Sequence, residues 1–519
     1  MIIDFSINFK MSKSNINKIF FIIFITIILL FNKYFNQNYI TIKFLLIIIL
    51  SNIIYKFIIK EKLLFFIIST LVDIILFLII INLPLSIKAN NVLGIKKYLI
   101  FFSFFLIIIF KSILILKKIK KSEINESTVF LFLFLLIFIL NIWQSTFRYY
   151  GDEPYYLLIT HSIAYDFDID LKNNYEKNDY RNFYNFYLNK QPSYEKDNKT
   201  FSSHFIGLPI LLSLPYRLFG KQGIILAISI ISTFFIYSFY KFISLYYPNN
   251  LHNKILLIVI LLLFTAPFLE MYASIYPEIC AASILLLLFT DFKKDNTNIF
   301  KHSFCFLLLA LLGIKYLPTA CFIWFLLAKN YYKKNNLFLC CLMTLFIFFI
   351  QQSINYFAYG EIKFFGTAFS HSKYSNNFLF NVIPSQFYQL FFGQRYGLFF
   401  CAPIYFLAIY SIIKNIRTNY LELTIFTIHF LPFMLLNGLP GDSPPVRYFI
   451  SALPFLTFYL FDLIIKNFYN KKVLKYSFFV LYLINTIYSL FYLILPFYRN
   501  KITGYNNFIY FIKTYILKI

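Results

Sequence analysis

Apolar runs of membrane-crossing length alternate with short Lys- and Asn-rich breaks along most of the chain, and one long polar stretch, residues 148–204, interrupts the pattern. A helix needs about 20 apolar residues to cross the hydrocarbon core of a bilayer. On that ruler five spans precede the interruption, near 16–32, 39–59, 62–82, 98–117 and 128–147. Residues 148–204 carry Asp, Glu, Asn, Lys and Tyr in place of aliphatics, so they are too polar for lipid and too long for an ordinary connection. Residues 205–220 are apolar again but short and broken by Pro209 and Pro215, which predicts a helix lying at the interface. Further spans are predicted near 222–243, 254–269, 279–291, 303–314, 316–328, 336–351, 397–413, 420–437, 447–466 and 473–497. The expected fold is an all-α polytopic membrane protein of 12–15 transmembrane helices, with a long first outer loop that contains interfacial helices.

Composition agrees with lipid as the solvent: 60% of the 519 residues are hydrophobic and 13% charged, more apolar surface than a soluble core hides. Phe (71) and Tyr (43) are so abundant that A/T-rich codon drift accounts for part of them, and no single ring carries weight alone. A net charge of +26 would suggest nucleic acid in a soluble protein. Here the Lys and Arg residues fall in clusters between apolar runs, where they set orientation, and a nucleic-acid partner is not expected. The N-terminus, Lys56/Lys60/Lys62, Lys117/Lys118/Lys120/Lys121, Lys293/Lys294/Lys301, Lys329/Lys333/Lys334, Lys414/Arg417 and Lys466/Lys471/Lys472/Lys475 all face the cytoplasm in a single threading. That threading leaves Lys88, Lys96 and Lys97 outside, and gathers 148–204, 274–278, 352–396 and 437–447 on the outer face of the cell membrane. The six cysteines lie in or beside apolar stretches with no CxxC pair, as helix-packing residues do. The first apolar run lacks a small-residue cleavage site, the pattern of an uncleaved first span.

The sharpest local signal is Gly151-Asp152-Glu153-Pro154-Tyr155-Tyr156, directly after the fifth span. Two adjacent carboxylates at a bilayer surface suit proton acceptance or cation ligation. The same residues also make an ordinary helix start, with Asp at the N-cap and Pro just inside. In Asp166-Phe167-Asp168-Ile169-Asp170 the carboxylates alternate as at the front of a calcium loop, but Leu171 stands where the loop needs Gly, and shaping of the outer loop is the expected role. Glu278, where a span re-enters the membrane, either snorkels to water or faces a polar cavity. Lys315, Arg395 and Arg447 sit in turns or at outer ends of spans and suit an anion such as a lipid-linked phosphate, or act as interfacial anchors. His161, His204 and His371 fall in outer segments without zinc-ligand spacing. Asp73 and Lys111 are ionisable residues within spans. No phosphate-cradling glycine loop and no GxSxG is found.

An acidic pair outside an early span, a long outer loop closed by an interfacial helix, and a run of paired spans together resemble the polytopic glycosyltransferases of the GT-C superfamily. The similar branch is the protein O-mannosyltransferase-like group, which includes the lipid A aminoarabinose and galacturonic acid transferases. The matching stretches are Gly151 to Leu157, Asp168 to Leu171, Leu218-Phe219-Gly220, Tyr272 through Tyr276-Pro277-Glu278, and Ser443-Pro444-Pro445-Val446-Arg447-Tyr448. In that family the acidic loop usually follows the first span, whereas about four extra spans precede it here, and Gly-Ile-Lys-Tyr-Leu-Pro around Lys315 fits only loosely. The resemblance implies an accessory region at 1–127, a catalytic module at 128–497 that includes outer loops 148–204 and 352–396, and a tail or interfacial segment at 498–519. It implies inverting transfer of a sugar from a polyprenyl-phosphate lipid donor to an acceptor at the outer face, with membrane lipids as surroundings. Asp152 is then the expected base with Glu153 beside it, and Glu278, Lys315, Arg395, Arg447, Tyr156 and His161 are expected to bind substrate. A divalent cation held by Asp152 and Glu153 is a further way to stabilise the leaving phosphate. A transporter or lipid flippase is the competing reading, with its critical charges at Asp73 and Lys111. A structural or assembly protein, indifferent to Asp152→Asn, is a third.

Overall fold

A computed structural model describes residues 126–145, 149–190, 194–196, 198–334, 336–359, 383–394, 397–415, 418–434, 444–467 and 472–494. All of them belong to the second of the two units into which the chain divides, Lys120–Ile519. The spans expected near 16–32, 39–59, 62–82 and 98–117 lie outside the described residues, as do Asp73, Lys111, His371 and Arg395.

The described residues are mostly α-helical. The first helix, α1 (Glu126–Gln144), enters the polar segment, where α2 (Glu153–His161) runs into a π-helical turn at Ser162–Asp166. A two-stranded antiparallel hairpin, β1 (Tyr194–Lys196) and β2 (Lys199–Phe201), pairs Glu195 with Thr200. Then come α3 (Gly207–Phe219), α4 (Lys221–Ile243), α5 (His252–Leu263), α6 (Glu278–Lys293), α7 (Ile299–Leu312), α8 (Leu317–Lys333) and α9 (Leu337–Tyr359). After these come α10 (Ile383–Phe392), α11 (Phe406–Asn415), α12 (Tyr420–Met434), α13 (Leu453–Asn467) and α14 (Lys472–Ile494), and single turns of helix lie at Lys172–Glu176, Phe268–Met271 and Leu398–Cys401.

Among these, three helices are long and apolar enough to cross a membrane: Lys221–Ile243, Leu337–Ile354 and Lys472–Leu493. The spans expected near 254–269, 279–291, 303–314, 316–328, 397–413, 420–437 and 447–466 each hold a helix of 10 to 17 residues. At about 1.5 Å per residue these fall short of a core of about 30 Å. Prolines and short turns break the apolar runs: Pro267 follows α5, Pro318 opens α8 and Pro403 precedes α11. The protein is thus a largely helical, membrane-associated one. Its lipid-like faces are plain on α9, where Phe338, Leu345 and Phe349 are exposed, and on α14, where Val473, Val480 and Leu483 are.

Small residues let the central helices approach closely. Ala281 and Ala282 of α6 and Ser229 and Ser232 of α4 are buried where these two helices pack together. Asn141 of α1 donates to the Ser229 hydroxyl (3.2 Å) and to the Tyr272 carbonyl (3.1 Å), which ties α1, α4 and the segment before α6 into one body. The short helix α3 is two-sided. Leu208, Leu212 and Tyr216 are buried, while Ile210, Leu214 and Leu218 are exposed at every fourth position. Gly207 starts it against α7, where an added Cβ would lie 2.6 Å from the Leu311 backbone carbon, so no larger residue fits without moving one of the helices. That contact sets the end of the polar segment, at His204, beside the turn after α7 that carries Lys315.

Candidate functional site

Four turns deliver four charges to one point. Gly151, with φ 58° in the left-handed region, turns the chain into α2 and leaves Asp152 at its N-cap. Asp152 makes no side-chain cap bond; its Oδ2 instead accepts from Arg447 Nη1 at 2.7 Å. Glu278 opens α6 behind Pro277, and its Oε1 accepts from both Arg447 Nε (2.7 Å) and Lys315 Nζ (2.6 Å). Lys315 sits in the 3-10 turn Ile314–Tyr316 between α7 and α8. Arg447 opens another such turn, Arg447–Phe449, behind Val446, whose φ of 62° is uncommon for a β-branched residue. Strain of this kind costs on the order of 1–3 kcal/mol and persists where the surroundings demand it. The demand here is visible: the Arg447 guanidinium lies 4.0 Å from the centre of the Tyr276 ring while it bridges two carboxylates.

Burial is graded across this cluster. The side chain of Glu278 is 1% exposed and that of Arg447 9%, whereas Lys315 and Asp152 keep 23% and 27%. The open side of the cluster is therefore Asp152 and Lys315. Two cations and two carboxylates balance, so the buried charges compensate one another. Three buried polar atoms in or beside the cluster nevertheless lack a hydrogen-bond partner among the described residues: Glu278 Oε2, Tyr316 Oη and His204 Nε2.

His204 comes from the last residues of the polar segment. Its ring packs against Tyr156 (4.9 Å between centroids) and Tyr155 (5.8 Å), and Nε2 stands 3.9 Å from Asp152 Oδ1. Burial lowers its pKa below the ordinary 6.5; Asp152 pulls the other way, and Arg447 and Lys315 add to the lowering. The imidazole is neutral near pH 7. Burial alone would raise the Asp152 carboxyl, but the nearby positive charge, Arg447 foremost, outweighs it and holds the pKa below the ordinary 3.8.

The cluster thus brings together Asp152, Glu278, Lys315 and Arg447, with Tyr156 at its edge through His204 and an edge contact to Tyr276 at 6.4 Å. It does not include Glu153 or His161. Glu153 is 2% exposed, and its two oxygens accept backbone N–H groups, Tyr150 and Ile275, each at 3.0 Å. It clasps the start of α2 to the segment before α6 and does not share a cation pocket with Asp152. Among the described residues no group of three or more His, Cys, Asp or Glu side chains is placed to hold a metal ion. His161, two turns along α2, meets the Tyr216 hydroxyl at 3.2 Å and Asp179 at 3.8 Å. The carboxylates of 166–170 work locally: Asp168 accepts from Ser162 (2.7 Å), Asp170 from the Thr200 amide (2.8 Å), and Asp166 from Asn174 (2.7 Å).

Reading along the chain did not include His204, Tyr276 or Tyr316 among the site residues, because nothing in linear spacing links them to Asp152. A second layer was equally hidden. The Tyr316 ring lies parallel to the fully buried His429 at 6.3 Å, and His429 bonds Ser451 (2.7 Å) and Thr319 (3.3 Å), which fixes the Lys315 turn against the Arg447 turn. No protein-family model matches the chain, and no curated protein or solved structure matches it either.

Proposed function

We propose that the protein is a membrane glycosyltransferase that moves a sugar from a polyprenyl-phosphate donor to a lipid, glycan or protein acceptor at the outer face of the membrane, with inversion. The observation that supports this most is the meeting of Asp152, Glu278, Lys315 and Arg447 from four separate stretches of chain, with a carboxylate and an ammonium on the open side. Asp152 accepts a hydrogen bond from the acceptor hydroxyl and aims it at the anomeric carbon. Lys315 has three N–H groups and gives one to Glu278; with no other hydrogen-bond acceptor among the described residues, the remaining two can meet the departing phosphate as its negative charge grows. Glu278 keeps Lys315 and Arg447 in place and limits the excess positive charge before substrate arrives. A lipid-linked donor also gives such a site reason to stand beside long apolar helices. Glu153, whose oxygens are engaged by backbone amides, takes no part as a ligand in this reading.

The test compares envelope lipids and glycans by mass spectrometry in cells with the wild-type gene, the Asp152→Asn variant, or no gene. One glycan or lipid species is expected to lose a single sugar in both altered strains. An unchanged profile in both would sink the transferase reading, and a change on deletion but not with Asp152→Asn would move the chemistry away from Asp152.

A further inference from the structure

The site has an unfilled requirement: a hydroxyl that attacks a sugar carbon must lose its proton, and Asp152 is poorly suited to hold it. Its Oδ2 is bound to Arg447 at 2.7 Å, and the charge of that guanidinium weakens the carboxylate as a base. The neighbouring imidazole is better placed. His204 Nε2 and Asp152 Oδ1 face each other across 3.9 Å, too far for a hydrogen bond, and Nε2 is buried with no partner among the described residues. Nε2 has almost no surface open to solvent, so an oxygen about 2.8 Å from both, the ordinary length for such bonds, is admitted by a small shift of the partly exposed Asp152 side chain. The ring is held against Tyr155 and Tyr156 on one side, and Gly207 anchors its segment against α7.

We infer that His204 is the proton-accepting residue of this site, with Asp152 orienting the acceptor hydroxyl between them; this rests on the transferase reading above. In the step, the acceptor O–H gives its proton to His204 Nε2 as its oxygen bonds to the anomeric carbon. The bond from that carbon to the phosphate oxygen breaks, and the polyprenyl phosphate leaves with the electron pair. The imidazolium then returns its proton to the phosphate or to solvent, and the site is restored. Asp152 stays ionised throughout and stabilises the transient imidazolium across the same gap, while of the cations facing His204, Arg447 is shared between Asp152 and Glu278 and Lys315 is bonded to Glu278. An imidazole that carries no proton of its own on Nε2 can accept one there, which a protonated ring could not.

The test uses the full-length protein in membranes, with His204→Gln and His204→Ala beside the wild type, and follows the sugar-bearing species found by the mass-spectrometric comparison. Both variants are expected to slow transfer by about 10²- to 10⁴-fold, the usual contribution of a general base. Added imidazole, which fits the space the ring leaves, is expected to restore part of the rate to His204→Ala, with substituted imidazoles of higher pKa restoring more. A ring needed only for packing against the tyrosines would give rescue that follows size and ignores basicity, and that outcome overturns the proposal, as does transfer at the wild-type rate in His204→Gln. A variant that fails to accumulate in membranes is replaced by His204→Asn, read by the same rescue series. If the wild type itself transfers no sugar, the transferase reading falls and this role with it; if only the His204 variants behave as wild type, the reading stands and the role alone falls.

Discussion

The two ends of α6 carry two charge clusters that look alike in composition and differ in closure. At its far end Asp291 is bonded on both oxygens: Oδ1 accepts from Asn296 at 3.1 Å, and Oδ2 from Lys301 (2.6 Å) and His302 (3.0 Å). The other nitrogen of the fully buried His302 meets the Tyr331 hydroxyl at 2.6 Å. That network joins α6, α7 and α8 and leaves each carboxylate oxygen partnered. At the near end Glu278 has two cations on Oε1 and no hydrogen bond to Oε2 among the described residues, with His204 Nε2 and Tyr316 Oη also lacking one. A buried polar group left unpaired costs about 1–3 kcal/mol; at the far end the two that lack a partner among the described residues are hydroxyls, Thr290 Oγ1 and Ser303 Oγ, whereas at the near end they include a carboxylate oxygen and an imidazole nitrogen, groups able to take part in chemistry. Similar residues therefore act as a staple at one end of the helix and as a site at the other.

The strongest way to break this comparison is Arg447→Met. It removes the one cation shared by Asp152 and Glu278, leaves Lys315 alone against Glu278, and takes away the partner that holds Val446 in its left-handed turn. Loss of one partner from a buried pair costs about 3–5 kcal/mol, and thermal unfolding in detergent is expected to show a loss toward the lower figure, since Lys315 remains. The pH dependence sharpens the point. Because Asp152 has a folded pKa below its unfolded one, the pair's contribution is complete above the unfolded value and is lost as pH falls through the folded one. Arg447→Met is expected to abolish that acid step.

Next in size is Glu153→Gln. A glutamine keeps one, neutral, acceptor oxygen where Glu153 uses two charged ones, so one of the Tyr150 and Ile275 amides loses its acceptor and the other keeps a weaker one. A hydrogen bond to a charged group contributes about 1.5–3 kcal/mol. Unfolding is expected to shift by that order while transfer per folded molecule changes little. Asp152→Asn is expected to weigh the other way, with transfer lost and unfolding shifted only by the share of the Arg447 pairing that acid also removes. If both adjacent carboxylates give the same pattern, the division between clasp and site is wrong.

That division also marks where the sequence stops being informative. The run Gly151-Asp152-Glu153-Pro154 reads equally well as a helix start and as a catalytic pair, and it is in part each. Helix-start chemistry is local, so Asp, Pro and the glycine before them announce α2 without help from distant residues. Which carboxylate turns outward depends on Tyr276, Glu278 and Arg447, more than 120 positions further along, and no spacing rule reaches that far. The same holds for His204, whose partners Tyr155 and Tyr156 are legible only once the hairpin and Gly207 have brought the end of the polar segment back. Helix positions were legible because apolar runs are local. Helix lengths were less so, since prolines such as Pro267 and Pro403 cut runs that hydrophobicity alone reads as continuous.

A finer test follows from His204. Its folded pKa lies below 6.5, so the unfolded chain takes up the proton first and stability falls as pH drops from about 6.5 toward the folded value. The groups around it, Asp152, Arg447, Lys315, Tyr155 and Tyr156, do not change charge over that range. His204→Gln is expected to reduce the slope of unfolding temperature just below pH 6.5, leaving the part supplied by His161, whose pKa burial also lowers. An unchanged slope would assign the titration to another histidine.

The smallest effect is expected at the closed end of α6. Lys301 is 38% exposed and sits 2.6 Å from Asp291, yet it is one of three donors to that carboxylate. Exposed ion pairs of this kind contribute about 0.2–1 kcal/mol, and salt screens them further. With Lys301→Met, His302 and Asn296 still hold both Asp291 oxygens, so no buried charge is left unanswered. The shift in unfolding is expected to stay under about 1 kcal/mol and to shrink as salt is added. A loss as large as that of Arg447→Met would mean that the Asp291 network is no more redundant than the Glu278 one, and the contrast between staple and site would then have to rest on the unpaired atoms alone.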